Sequence, residues 1–155
     1  MSLRDSLTQN AVEVLHILDP ATIGVDQSVG DAISLMQDRN TGCVVVTKDG
    51  KPAGIFTERD VLTKVLGGDI PLTTPIVDLM TSSPQVIQEG SSVADVIRCM
   101  HGGGFRHLPV VDGDGALRGV VSVKRIVEYL VEHFPSAVFN LPPDPGQTQL
   151  AREGA

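Results

Sequence analysis

The 155-residue chain repeats itself once. Residues 28–36 (SVGDAISLM) align with residues 92–100 (SVADVIRCM) at a shift of 64, with Ser, Val, Asp, Ile and Met in common. Residues 54–57 (GIFT) align with 119–122 (GVVS) at a shift of 65, and the extra residue falls in a Gly/Asp turn, where insertions are tolerated. Two copies at this long spacing predict a pseudo-symmetric pair of similar units.

Each copy has the pattern of a β-α-β-β-α unit. A short strand precedes a helix that Ser28 or Ser92 caps, with Asp31 or Asp95 three residues on. An apolar strand then leads through an Asp-Gly turn into a second strand and a second helix. In the first copy the predicted elements are strand 22–25, a helix to about 38, strands 44–46 and 53–56, and a helix over 57–66. In the second they are strand 85–88, a helix to about 101, strands 108–111 and 117–121, and a helix over 122–133.

One such unit is too small to bury a secure core, so the two copies are predicted to pack sheet to sheet. The predicted fold class is α/β (α+β), with two β-α-β-β-α repeats in a pseudo-twofold pair. Residues 3–18 predict one amphipathic N-terminal helix. The predicted domains are the N-terminal helix with repeat 1 (1–71), repeat 2 (72–134), and an extended proline-rich tail (135–155).

Composition argues against several functional classes. Twelve basic and nineteen acidic residues give a net charge of −7, which disfavours nucleic acid as a partner. The apolar runs are too short for a membrane span, and no signal peptide is evident, so we expect a cytoplasmic protein. Cys43 and Cys99 are predicted as core residues rather than a disulfide. The histidines are scattered and no catalytic motif is present, so neither a metal site nor an enzyme is predicted.

The segment from Gly54 to Asp60 has two interpretations. Thr57 and Asp60 have the spacing of a helix capping box, which needs no ligand. A carboxylate at this position can also accept hydrogen bonds from vicinal hydroxyls, as on a ribose. The second copy keeps Ser122 but has Arg125 in place of the acid, so the two copies do not act identically.

A second candidate segment, residues 105–110, follows three glycines and enters an apolar strand. Arg106 and His107 have one interpretation as a solvated strand entry. The other is an anion site, because Arg binds phosphate with two parallel hydrogen bonds and His adds a donor.

Together these residues resemble a tandem pair of CBS (cystathionine β-synthase) domains, called a Bateman module. The resemblance covers about residues 10–133. Four motifs carry it: residues 54–60 (GIFTERD), 77–81 (VDLMT), 106–112 (RHLPVVD) and 119–122 (GVVS). It implies a disc-like pair with two clefts that bind AMP, ADP, ATP or S-adenosylmethionine as ligand rather than catalytic cofactor.

The resemblance also implies which residues line each cleft. In the first, Asp60 would hold the ribose hydroxyls beside Thr57, and Arg106, with His107 and Arg59, would neutralise phosphate. The base would lie against Val86, Ile87, Phe105 and Pro109. The second cleft would use Thr22, Ile23, Thr41, Gly42 and Ser122, and it departs from the family pattern at Arg125.

The sequence therefore predicts a stand-alone regulatory module that binds an adenine nucleotide and signals by a change of shape or assembly. It is expected to form a homodimer, with helices 58–66 and 124–133 as candidate surfaces, and to act on an unknown effector protein. The alternative is a protein-interaction module whose sites no longer bind nucleotide.

Overall fold

The computed structural model describes residues 3–15, 17 and 19–133. The predicted tail at 135–155 lies outside the described residues, as do His16 and Leu18. Within the described part of the chain, no helix combines the length and the apolar character needed to cross a membrane.

Two short helices, α1 (Leu3–Leu7) and α2 (Ala11–Val14), replace the single predicted N-terminal helix. The backbone of Asn10 is extended, with φ −63° and ψ 123°. Its side-chain oxygen accepts hydrogen bonds from the backbone N–H groups of Val12 (3.0 Å) and Glu13 (3.3 Å). Asn10 is therefore an N-cap that starts a new helix where the apolar pattern suggested continuity.

The elements of the first repeat are β1 (Thr22–Gly24), α3 (Val29–Arg39), β2 (Cys43–Lys48), β3 (Lys51–Thr57) and α4 (Glu58–Asp60). Helix α4 continues directly into a π-helix at Val61–Leu66. A 3₁₀ turn at Ile76–Asp78 and strand β4 (Thr81–Ser82) follow in the segment that leads to the second repeat. β4 completes the sheet of the first repeat, which has the order β1-β2-β3-β4, with β1 parallel to β2 and the other pairs antiparallel.

The second repeat has the same β-α-β-β-α order, without counterparts of the 3₁₀ turn and β4 among the described residues. Its elements are β5 (Ile87–Gln88), α5 (Val93–Gly103), β6 (His107–Val111), β7 (Leu117–Ser122) and α6 (Val123–His133). The strands form a three-stranded sheet, β5-β6-β7, with the first pair parallel and the second antiparallel. The predicted strand 85–88 is paired only at its last two residues. The predicted fold class is confirmed.

Local chemistry explains why these elements form. Ser28 with Asp31, and Ser92 with Asp95, make reciprocal capping boxes at the start of α3 and α5. Between β2 and β3, Asp49 (φ 54°) and Gly50 (φ 77°) are both left-handed, as a two-residue hairpin turn requires.

Each repeat has its own apolar core between sheet and helices. In β2, Val44 and Val46 belong to the first core, while Val45 is fully buried but lies in neither. Because side chains alternate along a strand, Val45 is on the opposite face of the sheet. Cys43, on that same face, lines a cavity together with Val120 of β7. The two sheets therefore face each other, as the repeat predicted.

The segments that precede the repeats are exchanged between them. Ala11 and Leu15 are buried in the core of the second repeat, and Ile76 is buried in the core of the first. Matching backbone hydrogen bonds fix both contacts: Ala11 N–H to Ser91 O (2.9 Å) and Ile76 N–H to Gln27 O (2.9 Å). The predicted boundary at 71/72 divides the sequence into two parts, but the core of each repeat contains residues from the other part.

Candidate functional site

The first cleft, of about 630 Å³, lies between the start of α4 in repeat 1 and the chain before β5 and β6 in repeat 2. Residues of both repeats line it, so the cleft exists only in the assembled pair. Of the nine residues predicted for this site, the structure brings six to the cleft wall: Thr57, Arg59, Asp60, Phe105, Arg106 and His107.

The other three predicted residues do not line the cleft. Val86 is half-buried, and Ile87 packs against the core of repeat 2. Pro109 is buried within β6, where it lies opposite Val120 of β7. Of the predicted base-contacting residues, only Phe105 is at the wall, with 38% of its surface exposed.

Asp60 both caps α4 and lines the cleft, so the two interpretations of this residue are compatible. One carboxylate oxygen, Oδ2, accepts from the Thr57 backbone N–H (2.9 Å) and the Thr57 hydroxyl (3.2 Å). The other, Oδ1, lies 3.2 Å from Nζ of Lys64. Among the described residues Asp60 is the only charged residue that is buried, at 9% exposure.

Two guanidinium groups give the cleft a cationic side. Arg59 and Arg106 are exposed at its wall, and neither forms an ion pair within the described part of the chain. With Lys64 they outnumber Glu58 and Asp60, the acids of the lining. The cleft is thus net positive in a chain of net charge −7, which favours an anionic ligand.

His107 stands at the mouth of β6, half-buried, and lines both clefts of the molecule. Burial lowers the pKa of its imidazole; the Glu58 carboxylate opposes that shift and the Arg106 guanidinium adds to it. The neutral ring is therefore favoured, and it offers one donor and one acceptor.

Sequence analysis missed several residues of this wall. Lys64 was detectable, because it lies four residues after Asp60 and this spacing brings side chains together on a helix. Ile55 was detectable too, because it precedes Thr57 by two residues on β3 and such residues share a face of the strand. No local signal places the others at this wall, and the tertiary fold brings them there. They include Gly42, Thr81, Ser83, Pro84 and Gln85.

The second cleft is the pseudo-symmetric counterpart of the first and is smaller, at about 310 Å³. Of its predicted residues, Thr41 and Ser122 line it. Gly42 lines the first cleft instead, Ile23 is buried in the core of repeat 1, and Thr22 is exposed outside the lining. Asp19 and Arg39 are charged groups of the wall that the sequence analysis did not identify.

Arg125, which replaces the acid in the second copy, does not line the second cleft. Its Nε donates to the backbone carbonyl of Leu15 at 2.8 Å. Its Nη1 lies 3.4 Å from Glu128 and 3.5 Å from Glu132. The side chain that corresponds to Asp60 thus holds the segment after α2 against α6.

Neither cysteine forms a disulfide in the structure. Cys43 is buried and Cys99 half-buried, and both are free thiols. Burial, followed by the charge of Asp60, raises the pKa of Cys43 to about 12, so its thiol stays protonated at neutral pH. Among the described residues, no three His, Cys, Asp or Glu side chains are grouped to hold a metal ion.

The chain belongs to the CBS domain family, whose model matches it twice, at residues 12–67 and 76–132. It is a tandem pair of such domains. Among curated proteins it is similar to the CBS domain-containing protein CBSCBSPB5 of Arabidopsis thaliana, with 30% identity over 110 residues. That match covers 70% of this chain and 20% of the plant protein, so this chain spans only a small part of that relative.

Solved structures of CBS proteins have the same fold. The CBS-domain protein ATU1752 of Agrobacterium tumefaciens is 35% identical, with a TM-score of 0.69 over 77% of this chain and 98% of that one. CBSX2 in complex with AMP is 26% identical, with a TM-score of 0.63 over 77% and 96%. The CBS domain pair of MJ0100, in complex with 5′-methylthioadenosine and S-adenosyl-L-methionine, is 25% identical, with a TM-score of 0.66 over 74% and 96%.

Proposed function

We propose that this protein is a regulatory module that binds an adenosine-containing nucleotide in the first cleft. One observation carries the proposal: Asp60 of repeat 1 and Arg106 of repeat 2 line a single cavity. On one side is a buried carboxylate, and on the other are guanidinium groups that form no ion pair with any described residue. This arrangement suits a ligand with hydroxyl groups at one end and a phosphate at the other.

Each of these residues contacts the part of the nucleotide that its chemistry suits. Asp60 accepts from the ribose, while Arg106 and Arg59 neutralise the phosphate. The ring of Phe105 is the aromatic surface of the wall, and the base stacks on it. The structures of CBSX2 with AMP and of MJ0100 with two adenosine derivatives support this class of ligand.

A nucleotide in this cleft bridges the two repeats, which gives it a way to change the shape of the pair. Such a ligand shifts the protein between two states only through unequal affinity for them. The output passes to a partner protein or to a second copy of the chain.

The test is titration calorimetry with AMP, ADP, ATP and S-adenosylmethionine. We expect Asp60→Ala to weaken binding by about 1.5–3 kcal/mol, the usual contribution of a hydrogen bond to a charged group. Asp60→Ala also removes a helix cap, so the matched control is Asp95→Ala, which removes the equivalent capping acid from α5, away from the cleft. The control should lose stability but keep its affinity.

Two results would contradict the proposal. A parent chain that binds none of the four ligands would favour a protein-interaction module with degenerate sites. Equal affinity of the Asp60→Ala and Asp95→Ala variants for the nucleotide would show that Asp60 does not bind it.

We also propose a homodimer formed through α4 with its π-helix and through α6. Leu62 and Val127 occupy equivalent positions of the two repeats and are 65% and 52% exposed. Val127 borders an apolar groove between α5 and α6, and Leu62 borders a groove of mixed polarity between α3 and the π-helix. The two exposed apolar side chains are related by the internal pseudo-symmetry. A second copy of the same chain presents the same two side chains, so the two copies can bury them against each other.

A further inference from the structure

Oδ1 of the Asp60 carboxylate accepts no hydrogen bond from the described residues. A carboxylate offers about four lone-pair positions, two on each oxygen. Oδ2 accepts twice, from the N–H and the hydroxyl of Thr57, whereas Oδ1 forms only an ion pair with Nζ of Lys64, at 3.2 Å. The lone pairs of Oδ1 are therefore open to a ribose hydroxyl, and a hydroxyl bound there lies beside the Lys64 ammonium.

The Lys64 ammonium has N–H donors that no acceptor among the described residues uses. It carries three of them. One donates to the backbone carbonyl of Leu79 at 2.8 Å, while the 3.2 Å contact with Oδ1 of Asp60 is an ion pair. Lys64 lines the first cleft with 39% of its side chain exposed, so the remaining donors are accessible to a ligand.

We propose that Lys64 is a ribose-binding residue that acts together with Asp60. One hydroxyl of the diol donates to Oδ1 of Asp60, and the neighbouring hydroxyl accepts from Nζ of Lys64. This inference rests on the proposed function, because it assigns the polar contacts of the same nucleotide site.

The position of Lys64 is fixed before a ligand arrives. The side chain emerges from the π-helix that follows α4, and the Leu79 carbonyl and the Asp60 carboxylate hold its ammonium from two directions. A flexible lysine normally loses rotamer freedom when it binds a ligand, and these two contacts reduce that cost. A ligand without one of the hydroxyls leaves either the Lys64 donor or the Asp60 acceptor without a partner, so the pair selects for an intact diol.

The test uses AMP, 2′-deoxy-AMP and 3′-deoxy-AMP with the parent chain and with Lys64→Met, which keeps the unbranched stem but removes the donor. The parent should bind AMP about tenfold or more tighter than either deoxy analogue, because each loses a hydrogen bond to a charged group. Lys64→Met should weaken the binding of AMP by a similar factor. It should hardly change the binding of the analogue that lacks the ribose hydroxyl contacted by Lys64. Lys124→Met, on exposed α6 outside the lining, is the control and should leave all three affinities unchanged.

Three results would overturn the assignment. If Lys64→Met binds AMP as tightly as the parent, Lys64 does not touch the ribose. If Lys64→Met weakens the binding of all three ligands by the same factor, Lys64 acts only as a distant charge. Equal affinity of the parent for AMP and both analogues would exclude the shared clamp without any variant. A parent that binds none of AMP, ADP, ATP and S-adenosylmethionine would refute the proposed function as well, and that result differs from the three above, in which the parent binds AMP.

Discussion

A single histidine links the two clefts, and its titration should affect stability. The pKa of His107 is lowered in the folded chain, chiefly by burial, while an unfolded histidine titrates at about 6.5. Below that value the unfolded chain binds more protons than the folded one, so stability falls as the pH drops from about 7 towards 5.

His107→Gln should therefore flatten the acid side of the stability profile. The difference in slope is at most about 1.4 kcal/mol per pH unit, the value for one proton. Urea unfolding at a series of pH values measures it, with the exposed His101→Gln as the control. Parallel profiles of the parent and His107→Gln would show that His107 contributes nothing to the acid sensitivity.

Residues whose role depends on near neighbours in sequence were predictable. The pair of Thr57 and Asp60 was recognised as a cap from its spacing alone, and the structure shows both bonds of the capping box. Residues whose role depends on how the two repeats pack were harder to place. Pro109 was expected against the base, but it is buried. It lies opposite Val120, on the face of the sheet that turns away from the core of repeat 2, so its burial depends on the rest of the fold, which the sequence of one strand does not reveal.

At the scale of elements, the helices and hairpins followed from their caps and turns, while the N-terminal segment did not. The apolar spacing of residues 3–18 favoured one helix, but Asn10 caps a second one within that stretch. The cap forms where Asn10 bridges to Ser92, a contact between distant parts of the chain. A pattern of spacing cannot reveal such a contact, because the partner lies in the other repeat.

Arg125 should contribute to the attachment of that segment. We expect Arg125→Met to destabilise the fold by about 1–2 kcal/mol, because it removes the charged donor to the Leu15 carbonyl from a partly exposed site. Arg98→Met is the matched control, since Arg98 is 74% exposed and its one ion-pair partner among the described residues is Asp95, on the same helix. Such surface pairs contribute about 0–1 kcal/mol.

Chemical denaturation of both variants measures the difference in their free energies of unfolding. Calorimetry should show that their affinity for AMP in the first cleft is unchanged. If Arg125→Met costs no more than Arg98→Met, the bond to Leu15 does not hold the segment in place.

At the scale of the whole molecule, the proposed homodimer predicts that charges in place of its two exposed apolar side chains disrupt association. Leu62→Asp combined with Val127→Asp should convert the dimer to a monomer, because the interface would have to bury unpaired carboxylates. Light scattering coupled to size-exclusion chromatography measures the mass. Leu72→Asp, also exposed but outside the two helices, is the control. A parent that is monomeric at all concentrations, or a double variant that stays dimeric, would contradict this assembly.

The exchange of leading segments limits how the two repeats can be handled separately. A substitution at Leu15 alters the core of the second repeat, although Leu15 precedes the first repeat in the chain. A substitution at Ile76 alters the core of the first repeat, although Ile76 follows it in the chain. Neither unit can therefore be transplanted into another protein as its own continuous stretch of sequence. A successful graft has to include the opposite unit's leading segment, or supply an apolar substitute for it.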